Sequence, residues 1–162
     1  MRIGRNSFMF RIERLPKRTY VLFQGDREIG RLIQPSSWKE RAEILLPEGL
    51  FEITGRKGFW ATGLTVKYSG LPVMEITYTW KGGGKLQRPG RPERSLEYIP
   101  VSFWKQRFKV IDHQGNERMI LRAKHTWKSV DPDHTIEMMH EPPLEPIDVL
   151  AMVHAINIGI RR

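Results

Sequence analysis

Short runs rich in β-branched and aromatic residues recur between positions 20 and 140, and each run ends near glycine, proline, asparagine or aspartate. Runs of this kind, closed by turn residues, are typical of β-strands. In the clearest run, residues 73–80, polar side chains alternate with an apolar face that consists of Met74, Ile76, Tyr78 and Trp80. A period of two predicts a strand that buries one face and exposes the other.

A second run, residues 119–127, places His125 on the same face as its apolar side chains. Weaker runs predict strands at 20–23, 29–33, 42–46, 51–54, 64–69, 98–104, 108–112 and 136–140, which brings the total to about ten. Turn residues allow only short links between these runs, which favours an antiparallel meander over a parallel sheet. So many antiparallel strands would leave exposed edges unless they form a sandwich or close into a barrel.

The end of the chain has helical character, and we expect one helix over residues 144–160. Pro146 and Asp148 suit a first helical turn, and Arg161 with Arg162 place positive charge at the far end. The side chains of this helix are apolar nearly all round, and the segment is shorter than the roughly 20 residues of a membrane span. Its economical place is inside the barrel. The sequence therefore predicts an all-β protein with one helix: a single antiparallel β-barrel wrapped around a buried hydrophobic C-terminal helix, with residues 1–162 as one domain.

Several residues carry a resemblance to a known superfamily. They are the opening strand Tyr20-Val21-Leu22-Phe23-Gln24, the Glu28-Ile29-Gly30 strand, Trp38 in the next connection and the terminal helix that ends in Arg161-Arg162. This pattern resembles the superfamily of the Tubby C-terminal domain, the phospholipid scramblases and the plant LURP-one-related proteins. The resemblance implies a barrel closed around a hydrophobic C-terminal helix, and it implies binding to phosphoinositides or membrane surfaces. The chain has no cysteine, hence no palmitoylated cysteine cluster, and no C-terminal spanning segment, so lipid scrambling is not expected.

The net charge of +9 comes from two segments, because the rest of the chain is electrically balanced. A basic N-terminal arm, residues 1–18, carries +5, and residues 81–94 of a Gly/Pro-rich segment, 81–96, carry +4. We expect 81–96 to form a long mobile loop. The candidate residues for binding an anion or a lipid headgroup are Lys81, Lys85, Arg88, Arg91 and Arg94 in the loop and Arg11, Arg14, Lys17 and Arg18 in the arm.

Each basic segment also has a structural interpretation. The loop could be a solvated insertion without a ligand. In the arm, Phe8, Phe10, Ile12 and Leu15 could pack onto the barrel and leave the arginines exposed. Core packing is likewise the default for Trp60, Trp80, Trp104 and Trp127, whereas Trp38 could also anchor to a membrane interface or a partner.

Familiar catalytic and cofactor motifs do not occur. Gly82-Gly83-Gly84-Lys85 fails as a phosphate-binding loop because Thr79 and Leu86 stand where glycine and a hydroxyl residue are required. No Gly-x-Ser-x-Gly elbow occurs, and without cysteine there is no thiolate metal site or cysteine nucleophile. His134 and His140 could share a strand face as metal ligands, with Asp131 and Glu141 nearby, but ordinary surface or turn positions are expected for the histidines outside the helix. We expect neither an enzyme nor a cofactor.

Two polar residues, His154 and Asn157, lie on the otherwise apolar helix. We expect them to bind each other or strand groups across the barrel. The expected function is a binding module for an anionic phospholipid surface, in the cytoplasm or peripheral to its membrane. Two alternatives remain open. One is nucleic-acid binding by the same basic segments, which would need exposed aromatic residues beside the cations. The other is a protein-interaction scaffold with no anionic ligand, and the oligomeric state is left undetermined.

Overall fold

The computed structural model describes residues 9–35, 40–56, 63–102, 106–125 and 131–161. Within them, twelve strands precede one helix. The strands are β1 (Phe10–Leu15), β2 (Thr19–Gln24), β3 (Arg27–Ile33), β4 (Ala42–Leu46), β5 (Gly49–Gly55), β6 (Gly63–Tyr68), β7 (Leu71–Tyr78), β8 (Gly84–Arg88), β9 (Arg91–Ser102), β10 (Arg107–Asp112), β11 (Glu117–Lys124) and β12 (Asp133–Met139), and the helix is α1 (Pro146–Arg161).

Every strand pairs in antiparallel fashion with the next one along the chain, so the sheet order is the sequence order. The first and last strands, β1 and β12, also contact each other, which nearly closes the sheet into a barrel. The predicted antiparallel meander and barrel are therefore confirmed. Since strand direction alternates, the links fall at two ends of the barrel, which we name by the course of α1 through the interior.

The helix-start end holds the five links β2–β3, β4–β5, β6–β7, β8–β9 and β10–β11 together with the segment that leads into α1. The helix-exit end holds the remaining links between consecutive strands. Contacts near the end of α1 fix this direction: the Tyr78 hydroxyl, at the end of β7, donates to the Ala155 carbonyl oxygen across 3.3 Å.

The helix fills the barrel, as predicted. Every residue from 149 to 157 is at most 2% exposed, including the polar pair His154 and Asn157. The helix begins at Pro146, whose fixed φ suits a first helical position and which has no backbone N–H to leave unbonded. Inward-facing strand residues such as Leu22, Ile53 and Leu121 are fully buried around it. Burial of apolar surface on every side of α1 is the dominant force that joins the helix to the sheet.

Gly30 marks a place where the helix approaches the sheet closely. A Cβ atom on Gly30 would lie 2.9 Å from a methyl carbon of Leu150 in α1 and 2.7 Å from one of Leu46 in β4. These distances are shorter than a van der Waals contact between two carbon atoms, and a densely packed core has no room for the added methyl group. The absence of a side chain at position 30 therefore lets α1 lie against β3 and β4.

The prediction of a long mobile loop at 81–96 is wrong. Residues 84–88 form β8, and β9 begins at Arg91, so Pro89 and Gly90 alone make the turn, with Gly90 at a φ of 73°. The short strand β8 has only Leu86 as a buried apolar side chain, so its sequence shows no apolar period. Its conformation comes from backbone pairing on both sides, with β7 and with β9.

The N-terminal arm is likewise a strand where it is described. Residues 10–15 form β1, and Phe10 and Ile12 are buried, as the packing interpretation of this segment expected. The first eight residues, including Phe8, lie outside the described residues. The high density of arginine hid the alternation of buried and exposed positions in β1.

Two predictions for aromatic and histidine side chains are wrong. Trp80 was expected on the buried face of a strand, but β7 ends at Tyr78 and Trp80 is 91% exposed in the following turn. His125 was expected on an apolar face, but it follows β11 and is exposed. The other four tryptophans, Trp38, Trp60, Trp104 and Trp127, lie outside the described residues. Among the described residues, no helix is long and apolar enough to cross a membrane.

Candidate functional site

The candidate anion-binding cations fall into two groups, because the structure pairs some of them with carboxylates and leaves others unpaired. Arg88 donates to Glu145 across 2.6 Å and to Asp148 across 2.9 Å, and Arg94 donates to the other oxygen of Glu145 across 2.6 Å. These contacts tie the β8–β9 hairpin to the first turn of α1. Arg88 and Arg94 therefore anchor the helix, Arg88 as a largely buried side chain and Arg94 as one that is still 43% exposed.

The Arg88–Asp148 pair is largely removed from water. The Arg88 side chain is 17% exposed, and that of Asp148 is 9% exposed. Burial raises the pKa of Asp148 to about 6, although the Arg88 guanidinium favours the ionised carboxylate and lowers it. Asp148 also stands in the first turn of α1, where a negative charge complements the helix dipole.

Three cations of the N-terminal segment close the seam between β1 and β12 or pair within β1. Arg14 donates to Asp133 across 2.6 Å, and Arg18 lies 3.5 Å from the buried Asp131. Arg11 pairs with Glu13 and its guanidinium lies over the Phe23 ring. The Tyr20 hydroxyl adds a 2.7 Å bond to the Pro132 carbonyl oxygen across the same seam. Arg14 and Arg18 therefore contribute to barrel closure, whereas Arg11 pairs within β1.

Four of the candidate cations form no ion pair with another described residue: Lys17, Lys81, Lys85 and Arg91. Arg91 lies beside the β8–β9 turn at the helix-start end. Lys17 and Lys81 occupy links at the helix-exit end, and Lys85 is the second residue of β8, which starts from that end. The structure therefore separates the sequence-predicted set and brings three unpaired lysines to one end of the barrel.

The links at the two ends of the barrel carry opposite charge. The links at the helix-start end, including residues 140–145, contain four acidic residues and no lysine or arginine: Asp26, Glu48, Glu141 and Glu145. The described link residues of the helix-exit end contain five cations, namely Lys17, Arg18, Arg41, Arg56 and Lys81, against the two acids Glu40 and Asp131. The meander produces this separation, since it alternates links between the two ends.

Trp80 stands at the tip of the β7–β8 link on the basic end. It is 91% exposed, and the Lys81 ammonium lies 5.5 Å from the centre of its ring. Hydrogen bonds between Thr79 and Gly83 and between Gly82 and Thr79, 3.0 and 3.2 Å long, fix the turn, with Gly82 at a φ of 90°. The alternation of apolar and polar residues continues through position 80, so the sequence predicted a buried Trp80, whereas β7 ends at Tyr78. The three glycines at 82–84 were the signal that a turn begins there.

A buried chain of polar side chains crosses the barrel interior near the helix-exit end. His154 bonds the Glu40 carbonyl oxygen across 2.6 Å and the Gln34 side chain across 3.0 Å. Asn157 donates to the Gln34 side-chain oxygen across 2.8 Å and bonds His134 across 2.7 Å. The expected role of His154 and Asn157 is thus confirmed in one of its two forms, because they bind groups across the barrel and not each other.

His134 and His154 are both buried, which corrects the surface or turn position expected for His134, and burial controls the charge of both rings. Burial lowers the pKa of His134 and of His154 to about 4, although the bonds that these rings donate to the Asn157 side-chain oxygen and to the Glu40 carbonyl oxygen favour the protonated form. Both rings are therefore neutral at pH 7. A neutral ring has one donor and one acceptor nitrogen, which suits His154 between a carbonyl oxygen and an amide N–H. The chain of bonds fixes the rotation of α1 inside the barrel.

Other chemistry is sparse in the part of the chain that the structure describes. No group of three histidine, aspartate or glutamate side chains there could hold a metal ion. A depression of about 470 Å³ lies on the outer face of β5–β7 and includes Arg56, Lys67 and Glu75. Arg56 pairs with Glu75 across 2.7 Å, so this arginine is already occupied.

Comparisons with protein-family models, with curated proteins and with solved structures gave no match for this chain. The assignment of a candidate site therefore rests on the geometry above. Its elements are the unpaired cations and the exposed Trp80 at the helix-exit end of the barrel.

Proposed function

We propose that this protein is a non-enzymatic module that binds anionic phospholipid surfaces through the helix-exit end of its barrel. The observation that carries the proposal is the position of Lys17, Lys81 and Lys85, three lysines without an ion pair among the described residues, at the end whose links are basic. Each lysine near an anionic surface contributes about 1 kcal/mol of attraction. The resemblance to Tubby-like and LURP-one-related barrels supports the same function and a cytoplasmic, membrane-peripheral location.

The proposal narrows the set of candidate residues. Arg11, Arg14, Arg18, Arg88 and Arg94 already have carboxylate partners, and a lipid phosphate would have to displace those partners. Arg91 has no such partner but lies at the acidic end. The links of that end contain carboxylates and no lysine or arginine, whereas the links of the helix-exit end present cations to a membrane.

Nucleic-acid binding remains a second candidate because Trp80 is an exposed aromatic ring beside Lys81. Stacking of bases needs exposed aromatic rings beside the cations; residues 81–94 contain no phenylalanine, tyrosine or tryptophan, but the adjacent Trp80 supplies one such ring. Single-strand binding proteins, however, align several stacking rings along one basic groove. Among the described residues, Trp80 is the one largely exposed tryptophan, tyrosine or phenylalanine ring at the helix-exit end, so the lipid surface is favoured.

Vesicle co-sedimentation tests the proposal. The wild-type protein should bind phosphatidylcholine vesicles that contain phosphatidylserine or a phosphoinositide, and should bind less at high salt because the attraction is screened. Vesicles of phosphatidylcholine alone should not sediment it. Changing Lys17, Lys81 and Lys85 together to glutamine should weaken binding by about a hundredfold, which is about fivefold per lysine.

Arg91→Gln is the matched control, since it removes an unpaired cation from the opposite end and should leave binding within twofold of wild type. A thermal melt of each variant checks that the barrel is intact. A loss of about fivefold in Arg91→Gln, equal per charge to the loss in the triple variant, would mean that net charge alone attracts the protein. Absence of binding to anionic vesicles at low salt would refute the function. Displacement of bound vesicles by stoichiometric single-stranded DNA would favour the second candidate.

A further inference from the structure

Trp80 is the most exposed large hydrophobic side chain among the described residues. Its exposed fraction is 91%, against 69% for the next such side chain, Leu71. Exposure of a whole indole ring to water costs free energy that burial would recover. The turn around Trp80 is fixed by backbone hydrogen bonds, so the ring is held outward by a defined structure.

A second exposed apolar residue lies at the same end of the barrel. Val101, near the end of β9, is 54% exposed. Its neighbour Pro100 has a ring carbon 3.5 Å from the position that a Cβ atom on Gly82 would take, so the end of β9 lies close to the β7–β8 turn. Trp80 and Val101 are thus two exposed apolar side chains at the end of the barrel that carries the unpaired lysines.

We propose that Trp80 enters the headgroup–acyl boundary of an anionic bilayer and so orients the barrel end-on, with the exit of α1 toward the membrane. This inference rests on the proposed lipid-binding function and adds to it an anchor and an orientation. The indole ring suits this boundary because it combines an apolar body with one N–H donor. Val101, which is exposed at the same end of the barrel, would enter the same boundary.

The lysines complement such an insertion. The Lys81 ammonium lies over the face of Trp80 in the unbound protein, at 5.5 Å. A long lysine side chain can turn its ammonium toward phosphates while its methylene groups stay beside the inserted ring. Lys85 follows four residues later on β8, where its side chain is exposed. Apolar insertion and phosphate contact therefore use one hairpin.

Bilayer binding explains this end of the barrel better than nucleic-acid stacking does. The Lys81 ammonium lies over one face of the Trp80 ring, and the described residues offer no second exposed tryptophan, tyrosine or phenylalanine ring nearby for the next base. A bilayer requires only one ring and an adjacent cation, and it places no demand on a linear track of cations. The six links of the helix-exit end surround the barrel rather than follow a groove.

Two measurements on the full chain test the anchor. The first is co-sedimentation of Trp80→Ala with phosphatidylserine-containing vesicles, for which we expect about tenfold weaker binding because the apolar contribution is lost. Leu71→Ala is the matched control, since it removes an exposed apolar side chain from the opposite end and should bind as wild type does.

The second measurement reports depth. Because the chain has no cysteine, Thr79→Cys, which keeps Trp80, and Leu71→Cys can each be labelled with an environment-sensitive fluorophore. We expect the emission at position 79 to shift to the blue and to be quenched by bromine on shallow acyl carbons when anionic vesicles are added. The emission at position 71 should not change.

The outcomes separate the anchor from the proposed function. If wild type and Trp80→Ala bind anionic vesicles equally and the label at 79 stays in water, the anchor is refuted and the lipid-binding function stands. A shift at position 71 would refute the end-on orientation. If the wild type binds no anionic vesicle, both proposals fail. If single-stranded DNA binds and Trp80→Ala abolishes that binding, the ring is a stacking platform and both proposals are again refuted.

Discussion

The Arg88 guanidinium donates to the Asp148 carboxylate across 2.9 Å and so connects the β8–β9 hairpin to the first turn of the enclosed helix. The helix itself is apolar and fits the barrel through non-directional contacts, which do not fix its position along the barrel axis. A buried ion pair at one end of α1 and a buried chain of hydrogen bonds near the other end define that position.

Arg88→Met should destabilise the protein by about 3 kcal/mol, because it leaves the buried Asp148 carboxylate without its partner. Urea unfolding monitored by circular dichroism measures this loss. Arg91→Met, in the adjacent turn, should change the free energy of unfolding by less than about 0.5 kcal/mol. The double variant Arg88→Met with Asp148→Leu should recover much of the loss, because no charge then remains buried. Equal effects of Arg88→Met and Arg91→Met would contradict the anchoring role.

Acid should destabilise the barrel through His134 and His154. The pKa of each falls to about 4 in the fold because both rings are buried, whereas an unfolded histidine titrates near 6.5. The unfolded chain therefore binds more protons between these values, so stability is full above about pH 6.5 and falls as the pH decreases toward 4.

Asp148 acts in the opposite direction, because burial raises its pKa to about 6 and favours protonation of the folded state. The net loss between pH 7 and pH 4.5 should be about 3 kcal/mol. Urea unfolding at several pH values measures it. In Asp148→Asn the loss over the same range should increase to about 5 kcal/mol, and a stability that stays constant in that variant would show that the histidines titrate normally.

Gly30→Ala should destabilise the protein by about 1–3 kcal/mol, because its methyl group would overlap Leu150 of α1 and Leu46 of β4. Gly159→Ala is the matched control. A Cβ atom at position 159 meets only a Tyr78 ring carbon at an ordinary 3.9 Å, and alanine favours the helical backbone. It should stabilise α1 by about 0.5 kcal/mol. Thermal unfolding should shift in opposite directions for the two variants, and the same direction for both would contradict this packing.

Lys17→Gly should increase stability and decrease lipid binding together. Lys17 has a φ of 62°, a left-handed conformation that glycine adopts at lower cost, so we expect a gain of about 0.5–1 kcal/mol. Loss of its charge should weaken binding to anionic vesicles about fivefold. Lys17→Gln should show the same loss of binding without the gain in stability. Unchanged vesicle binding in both variants would remove Lys17 from the binding surface.

The sequence alone determined the architecture. Alternating apolar positions at 73–78 and 119–123 specify strands, because a pleated strand presents successive side chains to opposite faces. The helix that is apolar on every side requires an interior, and the short links allow only an antiparallel meander. These are local properties of the chain, and the tertiary structure has the strands and the helix that they predict.

Tertiary structure alone decided which cations are available. Arg88 and Arg94 are close in sequence to Lys81 and Lys85, but the turn at Pro89 and Gly90 carries Arg88 and Arg94 to the end where Glu145 and Asp148 begin the helix. Ion pairing depends on distances between residues far apart in the chain, which composition does not contain. The sequence therefore identifies the basic segments, because charge is a local property. The alternation of strand direction distributes their side chains between the two ends of the barrel, and the β7–β8 turn leaves Trp80 exposed at the helix-exit end.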